Sequence, residues 1–441
     1  MSSSDQQPRA VAVPSSQIGR MAGLSRMTAG IAGRSLMTGL SQLSRGQRPE
    51  LRDMLLTPSN FEQFADQLAR MRGAALKMGQ LLSLDTGEVL PPELTQILKR
   101  LQADADHMPA AQLDASLRQA WGENWASLFE RFDLQPMAAA SIGQVHRGVT
   151  RDGRDLAIKI QYPGIAQSID SDVDTMVALL RLTGLGPGKA QLSDLSQKAK
   201  QQLHEEADYL REAENLQRYA AALAGRDGFC LPQVQADLGT PRVLAMSYVP
   251  GRSIEEVAAL GQDQRNDIVE RLLRLALDEL FEFNLVQSDP NFANYRYDLQ
   301  SDRIGLIDFG ATRSIDGDLV QACRKLLRAA LDLDRTAIRD GILDMGLVSP
   351  QTSKRHVTQI MRMIGALSVA LLEKDRFDFA SDDIVSRLQD SGMRLATDPE
   401  FKHVPPFDVL HLQRKFAGMY LLAKRLGANL SLRQLVEPYA C

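Results

Sequence analysis

Asp289 and Asn294 stand five residues apart, and fourteen residues beyond Asn294 the triplet Asp308-Phe309-Gly310 closes an apolar run, Ile304-Gly305-Leu306-Ile307. Asn294 and Asp308 offer an amide oxygen and a carboxylate, hard donors of the kind magnesium takes. Asp289 beside them can orient or deprotonate a hydroxyl or a water. Lys159, in Leu156-Ala157-Ile158-Lys159, adds the point charge that holds α- and β-phosphates, and Glu212 can supply its partner. Upstream, Ala138-x-Ala140-x-x-Gly143-x-Val145 keeps the register of a phosphate-covering loop, with alanine at the first two glycine positions. In this order the parts describe phosphoryl transfer from a magnesium nucleotide. Each part alone has a plain structural reading, Asp-Phe-Gly above all, and the common order and spacing carry the argument. Two other motifs fail. His204-Glu205-Glu206-Ala207-Asp208 has Asp where a zinc protease needs its second His, and 184–189 is a residue short of a P-loop, with Ala190 where magnesium needs a hydroxyl.

The elements that must position these residues follow from periodicity. From Asn60 to about Asp85 apolar residues recur at helical spacing, and helix continues past Pro91-Pro92 and Pro109, so the first 130 residues read as all-helical. Ser141–Thr150 and Asp155–Gln161 read as strands joined by the turn Arg151-Asp152-Gly153-Arg154. One long charged helix is expected over Leu192–Leu223, a strand over Arg242–Val249, a helix over Asp263–Phe283, a hairpin at Tyr295–Asp298 and Arg303–Asp308, and helix from Asp318 onward. The domain reading is 1–50, a basic segment; 51–132, a helical extension; 133–250, an N-lobe; and 251–441, a C-lobe.

The length of 441 residues suits two or three domains, and the composition is that of an ordinary globular protein, which sets disordered and fibrous classes aside. Cys230, Cys323 and Cys441 are too few and too scattered for a disulfide framework. The net charge of -4 speaks against a nucleic-acid binder, and no stretch reaches the ~20 apolar residues of a spanning helix. The first fifty residues reverse the balance, with Arg9, Arg20, Arg26, Arg34, Arg45 and Arg48 against Asp5 and Glu50. Apolar residues interleave with arginine over Gln17–Leu43, as in an interfacial amphipathic helix; a surface helix packed on its own domain is the plainer alternative.

With these residues in hand the chain resembles the UbiB/aarF-domain atypical kinase-like family, and within it the branch associated with coenzyme Q (ubiquinone) synthesis. The resemblance rests on Lys77-Met78-Gly79-Gln80, on the Ala-rich stretch Ala138–His146, and on Ile158–Gly164 around Lys159. It rests also on Glu206-Ala207-Asp208, on Gln287-Ser288-Asp289-Pro290-Asn291-Phe292-Ala293-Asn294 and on Asp308–Arg313, and it runs from about Val13 to Tyr439. Gln287, where many members have His, points to the coenzyme Q branch.

The resemblance implies a two-lobed protein-kinase-like α+β fold with an all-helical N-terminal extension over the nucleotide cleft. It implies ATP or ADP and Mg2+ as cofactors, with Asp289, Lys159 and Glu212 catalytic and Asn294 and Asp308 on the metal. Ala138, Ala139, Ala140, Ser141, Gly143, Val145, Lys159, Met246, Tyr248 and Val249 would contact the nucleotide. Lys77, Gln80, Glu206 and Asp208 would be regulatory, with Lys77 pointing inward onto Glu206 or Asp208 where a protein kinase admits its peptide. On a continuous helix Asp208 and Glu212 share a face and Glu206 lies round the side, so Glu206 and Glu212 are expected to serve different partners. Alanine in place of loop glycine restricts the backbone, so the loop is expected to hold ATP differently. No Ala-Pro-Glu segment follows Asp308, so a peptide-docking platform is not expected.

Expected partners are the nucleotide, an anionic membrane and ubiquinone precursors or other ubiquinone-pathway proteins, without nucleic acid. The expected location is the cytoplasmic face of a bacterial membrane, or alternatively the matrix face of the mitochondrial inner membrane. A nucleotide-switched scaffold for a lipid-modifying enzyme complex and a small-molecule phosphotransferase are the competing readings. The first has no need of all of Asp289, Asn294 and Asp308, and the second has no place for Lys77-x-Gly-Gln.

Overall fold

The computed structural model describes residues 71, 73–75, 77–79, 107–183, 189–372, 375–396, 398, 400–401 and 403–440. The basic segment over Gln17–Leu43 and Gln80 lie outside the described residues. No described helix is long and apolar enough to cross a membrane. The chain divides into two compact units, one of residues 1–211 and 234–248, the other of residues 212–233 and 249–441.

The first unit is built on an antiparallel sheet. β1 (Phe129–Phe132), β3 (Gly143–Thr150), β4 (Asp155–Gln161) and β6 (Val243–Ser247) lie in that order, with β2 (Ala138–Ala139) added to β3. β4 is central, and Leu156, Ile158 and Ile160 are sealed within 1% exposure, so its apolar run is a buried strand rather than an amphipathic one. The strand β1 corrects the expectation that the first 130 residues are all-helical. Pairing with β3 makes this segment a strand, and a register shift between Phe129 and Arg131 lets Phe129 and Phe132 meet edge to face at 5.3 Å with Trp125 beside them. Helix α1 (Ala110–Trp121) precedes the sheet, and α2 (Ile165–Thr183) and α3 (Lys189–Glu206) follow β4 and pack on each other.

The long helix expected over Leu192–Leu223 is two helices, α3 and α4 (Tyr209–Ala222), broken at Ala207-Asp208. The Asp208 side chain accepts from the Arg211 backbone N–H at 3.0 Å, starting the new helix instead of continuing the old one. The helical-face argument for Asp208 and Glu212 therefore lapses, while Glu206 and Glu212 do fall on separate helices.

In the second unit a four-stranded sheet runs β5 (Phe229–Cys230), β10 (Arg303–Leu306), β9 (Tyr295–Asp298), β7 (Arg252–Ser253). The pairing of β5 with β10 draws residues 212–233 into this unit. Helix α5 (Gln262–Phe281) is buried along most of its length and leads into β8 (Leu285–Gln287), which pairs antiparallel with β11 (Thr312–Ser314). Helices α6 (Gly317–Leu331), α7 (Arg335–Asp344), α8 (Lys354–Leu372), α9 (Ile384–Ala396) and α10 (Phe407–Arg425) complete it, with a short pair β12 (Phe377–Asp378) and β13 (Asn429–Leu430).

The centre of this unit is ionic. Lys415 of α10 meets Glu279 of α5 at 2.8 Å, with side-chain exposures of 2% and 1%. Tyr219 donates to the other Glu279 oxygen at 2.6 Å, and Lys415 reaches the Tyr295 hydroxyl at 3.4 Å. Burial alone would pull the Lys415 ammonium down, but the Glu279 carboxylate overrides it and keeps the lysine charged, above its ordinary range. Breaking such a pair leaves an uncompensated buried charge. Lys415→Met is expected to destabilise the protein by about 3–5 kcal/mol, and the double variant with Glu279→Gln by less than the sum of the singles, both measured by denaturant unfolding.

Candidate functional site

The first unit presents Lys159 and the Ala-rich hairpin. Lys159 lies on β4 between Val145 and Leu244 and is 8% exposed, its ammonium 5.2 Å from the centre of the Tyr209 ring. Ala138 and Ala139 pair with Val145 and Gln144, and the turn closes with the Ala140 N–H on the Gly143 carbonyl at 2.9 Å. None of the three alanines has positive φ, so alanine sits in this loop without left-handed strain. Gly143 is required for a different reason. A Cβ there would lie 2.4 Å from the Ile160 carbonyl oxygen, so only glycine lets β3 approach β4 this closely.

Lys77 is 9% exposed and forms a salt bridge with Glu206, whose second oxygen accepts from the Ser141 hydroxyl at 2.9 Å. One carboxylate thus ties the helical residues 77–79 to the tip of the Ala-rich hairpin. Gly73 reinforces the contact, since a Cβ there would meet the Ser141 carbonyl and the Ile142 side chain at 3.1 Å. Asp208 makes no such link and caps α4 instead. Gln144 accepts the Met108 N–H at 2.9 Å and bonds His146 at 2.7 Å. Burial holds His146 below its ordinary proton affinity, a neutral ring inside the sheet. On β6 Met246 is 6% exposed, and the Tyr248 N–H bonds the Asp155 carbonyl at 2.8 Å while its ring carries the Arg147 guanidinium at 4.2 Å.

The second unit holds the acidic groups. α4 turns one face, Glu212, Asn215 and Tyr219, to Asp308-Phe309-Gly310. A Cβ on Gly310 would lie 3.5 Å from both Glu212 and Asp308 oxygens, Asn215 donates to the Phe309 carbonyl at 3.4 Å, and the Tyr219 ring packs on Phe309 at 5.1 Å. Asp308 also accepts from the Gly310 N–H at 3.1 Å. Asn294 ends a 3-10 turn capped by Asn291, its carbonyl accepts the Ile307 N–H at 3.2 Å, and its amide reaches the Asp289 carboxylate at 3.4 Å. Asp289, Asn294 and Asp308 therefore belong to one constellation, and a pocket lined by Asn294, Asp308, Gln287 and Glu279 opens beside it. Gln287, 6% exposed, donates to the Asp308 carbonyl at 3.4 Å, which fixes the strand end that carries the motif. The Val249 side chain packs on Gly305, where a Cβ would meet it at 2.5 Å. Lys159 and Glu212 fall in different units, and their pairing stands as an expectation.

The sequence leads to helix beyond Asp318, α10 included, but not to what α10 touches. Arg414 donates to Asp289 at 2.9 Å, and a Cβ on Gly418 would stand 2.1 Å from Pro290 Cβ, so α10 lies directly on the Asp289–Asn294 segment. The only sequence signal was a glycine one turn past two adjacent cations in a helical pattern, with no spacing rule to connect it to Asp289, 125 residues away. Among the described residues, a close-set group of possible ligands away from this site, His356, Asp398 and Glu400, has Arg355 paired to Asp398 and a buried His356 bonded on both ring nitrogens, which reads as a structural cluster.

Residues 100–341 match the family model described as the ABC1 atypical kinase-like domain. The chain is 35% identical over 96% of its length to "Atypical kinase COQ8, mitochondrial" of Saccharomyces cerevisiae, covering 85% of that protein. It is 35% identical to "Atypical kinase COQ8B, mitochondrial" of Rattus norvegicus, covering 96% of this chain and 80% of that one. Among solved structures, Rv3197 of Mycobacterium tuberculosis, in complex with erythromycin, aligns with a TM-score of 0.59 at 26% identity, over 86% of this chain and 97% of that one. These likenesses bear out the α+β, two-lobed kinase-like fold read from the motifs.

The close approach of α10 has a measurable consequence. Gly418→Ala is expected to cost about 1–3 kcal/mol through overpacking on Pro290. Gly365→Ala, in α8 with open space around it, is expected to gain about 0.5–1 kcal/mol. Thermal unfolding of the two variants should move in opposite directions.

Proposed function

Because this chain belongs to the ABC1 atypical kinase-like family, in which its relatives are COQ8 atypical kinases, we propose that it is an ATP-binding, magnesium-dependent enzyme that supports ubiquinone synthesis at a membrane surface. The observation that carries the reading is the gathering of Asp289, Asn294 and Asp308 in the second unit, with α4 packed on Asp-Phe-Gly. The donor set suits the metal. Asn294 and Asp308 bring only oxygen, beside a pocket they both line, which is the preference of magnesium and not of zinc.

In this mechanism Lys159 places a charge on the α- and β-phosphates, with Glu212 holding the lysine. The turn from Ala138 through Ser141, with Gly143 and Val145, covers the phosphates, and Met246, Tyr248 and Val249 meet the base. Asn294 and Asp308 hold magnesium, which when bound neutralises charge on the phosphate oxygens. Asp289 orients the acceptor hydroxyl or water and receives its proton. Lys77, through Glu206 and Ser141, keeps the Ala-rich hairpin in one place, with Gln80 and Asp208 completing that regulatory region. The absence of Ala-Pro-Glu and the direct run from Asp308 into β11 and α6 favour a small acceptor or water over a folded protein substrate. The coenzyme Q assignment comes from the relatives, and the lipid or ubiquinone-pathway partner from it and from the basic first fifty residues.

Phosphate release by the full chain with Mg-ATP tests the reading. Asp308→Asn and Lys159→Arg are each expected to lower turnover roughly 10³-fold or more with the unfolding midpoint unchanged; parent-like release from Asp308→Asn would remove it from the mechanism. No release from the parent protein, with nucleotide bound, would favour the scaffold reading.

Anionic liposomes test the membrane surface. Deletion of residues 1–48 is expected to abolish salt-sensitive co-sedimentation, as each Arg near such a surface contributes about 1 kcal/mol. Equal co-sedimentation of the truncated and full chains would count against that segment.

A further inference from the structure

Transfer of a phosphoryl group spreads negative charge over the γ-phosphate oxygens beside the acceptor, and an added cation there raises the rate. The loop Asp289-Pro290-Asn291-Phe292-Ala293-Asn294 contains no Lys or Arg. α10 brings one to it. The Arg414 guanidinium donates to Asp289 Oδ1 at 2.9 Å while Asn294 Nδ2 stands 3.4 Å from Oδ2, so the carboxylate is engaged at both oxygens. The pair is neither sealed nor a loose surface contact, with side-chain exposures of 16% for Arg414 and 28% for Asp289. That leaves the guanidinium largely out of bulk water, where its charge acts most strongly, without sealing it.

The helix that carries Arg414 is fixed independently of it. Gly418 rests on Pro290, Lys415 is buried on Glu279, and Met419 meets the Tyr295 hydroxyl at 3.8 Å. Loss of the Arg414 charge therefore leaves α10 anchored. On the same helix Phe407 packs against His411 at 4.2 Å and carries Arg313, just beyond Asp-Phe-Gly, at 5.4 Å. Both ends of this face touch the segments that flank the metal ligands.

We propose that Arg414 is a further functional residue of this phosphoryl-transfer site, an arginine supplied in cis that aims the Asp289 carboxylate and puts positive charge where it develops on the transferred group. The proposal rests on the reading of the second unit given above. In the step itself the acceptor oxygen bonds to the γ-phosphorus and the bond from that phosphorus to the β,γ-bridging oxygen breaks. ADP leaves with the bridging oxygen, and the acceptor proton passes to Asp289. Arg414 stays protonated throughout and gives up no proton.

The test measures phosphate release from Mg-ATP by the full chain, with nucleotide affinity and unfolding midpoint measured alongside. Arg414→Ala and Arg414→Gln are expected to lower kcat by about 10²-fold or more, at or below the roughly 10³- to 10⁵-fold worth of an arginine finger, with nucleotide affinity within about threefold of the parent. Arg414→Lys should retain an intermediate rate. Millimolar guanidinium should restore part of the Arg414→Ala rate and leave the parent unaffected, which a packing role would not allow. If Arg414→Ala proves unstable, Arg414→Gln and Arg414→Lys, which keep the stem, decide the matter. A kcat within about threefold of the parent in all three variants, or a loss that neither lysine nor guanidinium relieves, overturns the proposal. Parent-like release from Asp308→Asn would instead overturn the reading on which it rests.

Discussion

A lysine ammonium and a glutamate carboxylate sealed from water, Lys415 and Glu279, set the terms for the second unit. Desolvating two charges costs several kcal/mol for each, and their attraction recovers it only when the remaining polar atoms are also in place. Tyr219 from α4 and Tyr295 from β9 supply those atoms. Four separate elements must therefore arrive together. Tyr219 also packs on Phe309, and Tyr295 directly follows Asn294. The network that neutralises the buried charge thus also fixes the strand end carrying Asp308 and the turn carrying Asn294.

The first unit uses a smaller version of the same device. Glu206 divides its two oxygens between Lys77 and Ser141, so the helical segment before the sheet and the Ala-rich hairpin are held by one carboxylate. Glycine does the remaining work by close approach. Gly73 and Gly143 are demanded by neighbouring atoms 3.1 and 2.4 Å from where a Cβ would stand. The loop alanines have ordinary backbone angles, so their effect lies in the methyl groups and in a turn closed on its own Gly143 carbonyl.

Between Asp308 and α6 there is room only for β11, which pairs with β8 while Ser288 bonds the Ala311 carbonyl twice, through its N–H at 3.1 Å and its hydroxyl at 2.8 Å. The stretch after Asp308 is thus a short strand locked to β8 and Ser288. Rigidity on that side is supplied by α10, through Gly418 on Pro290 and Arg414 on Asp289.

The sequence by itself determined the kinase-like family and most of the local structure around the candidate residues. The spacing of Asp289, Asn294 and Asp308 reflects one short hairpin, and the strands Asp155–Gln161 and Tyr295–Asp298 follow directly from turn residues and alternation. Neighbours along the chain interact through backbone geometry, which residue type and spacing express. The break at Ala207-Asp208 was less legible, because a helix-starting Asp inside a charged helical pattern looks like one more surface carboxylate. The strand Phe129–Phe132 escaped because its partner, not its own four residues, makes it a strand. Only the tertiary structure decided that Lys77 takes Glu206 and not Asp208, that Lys415 and Glu279 are buried together, and that Arg414 stands on Asp289. Those contacts join residues more than a hundred positions apart, where periodicity carries no information and only the cost of unpaired buried charge selects the partner.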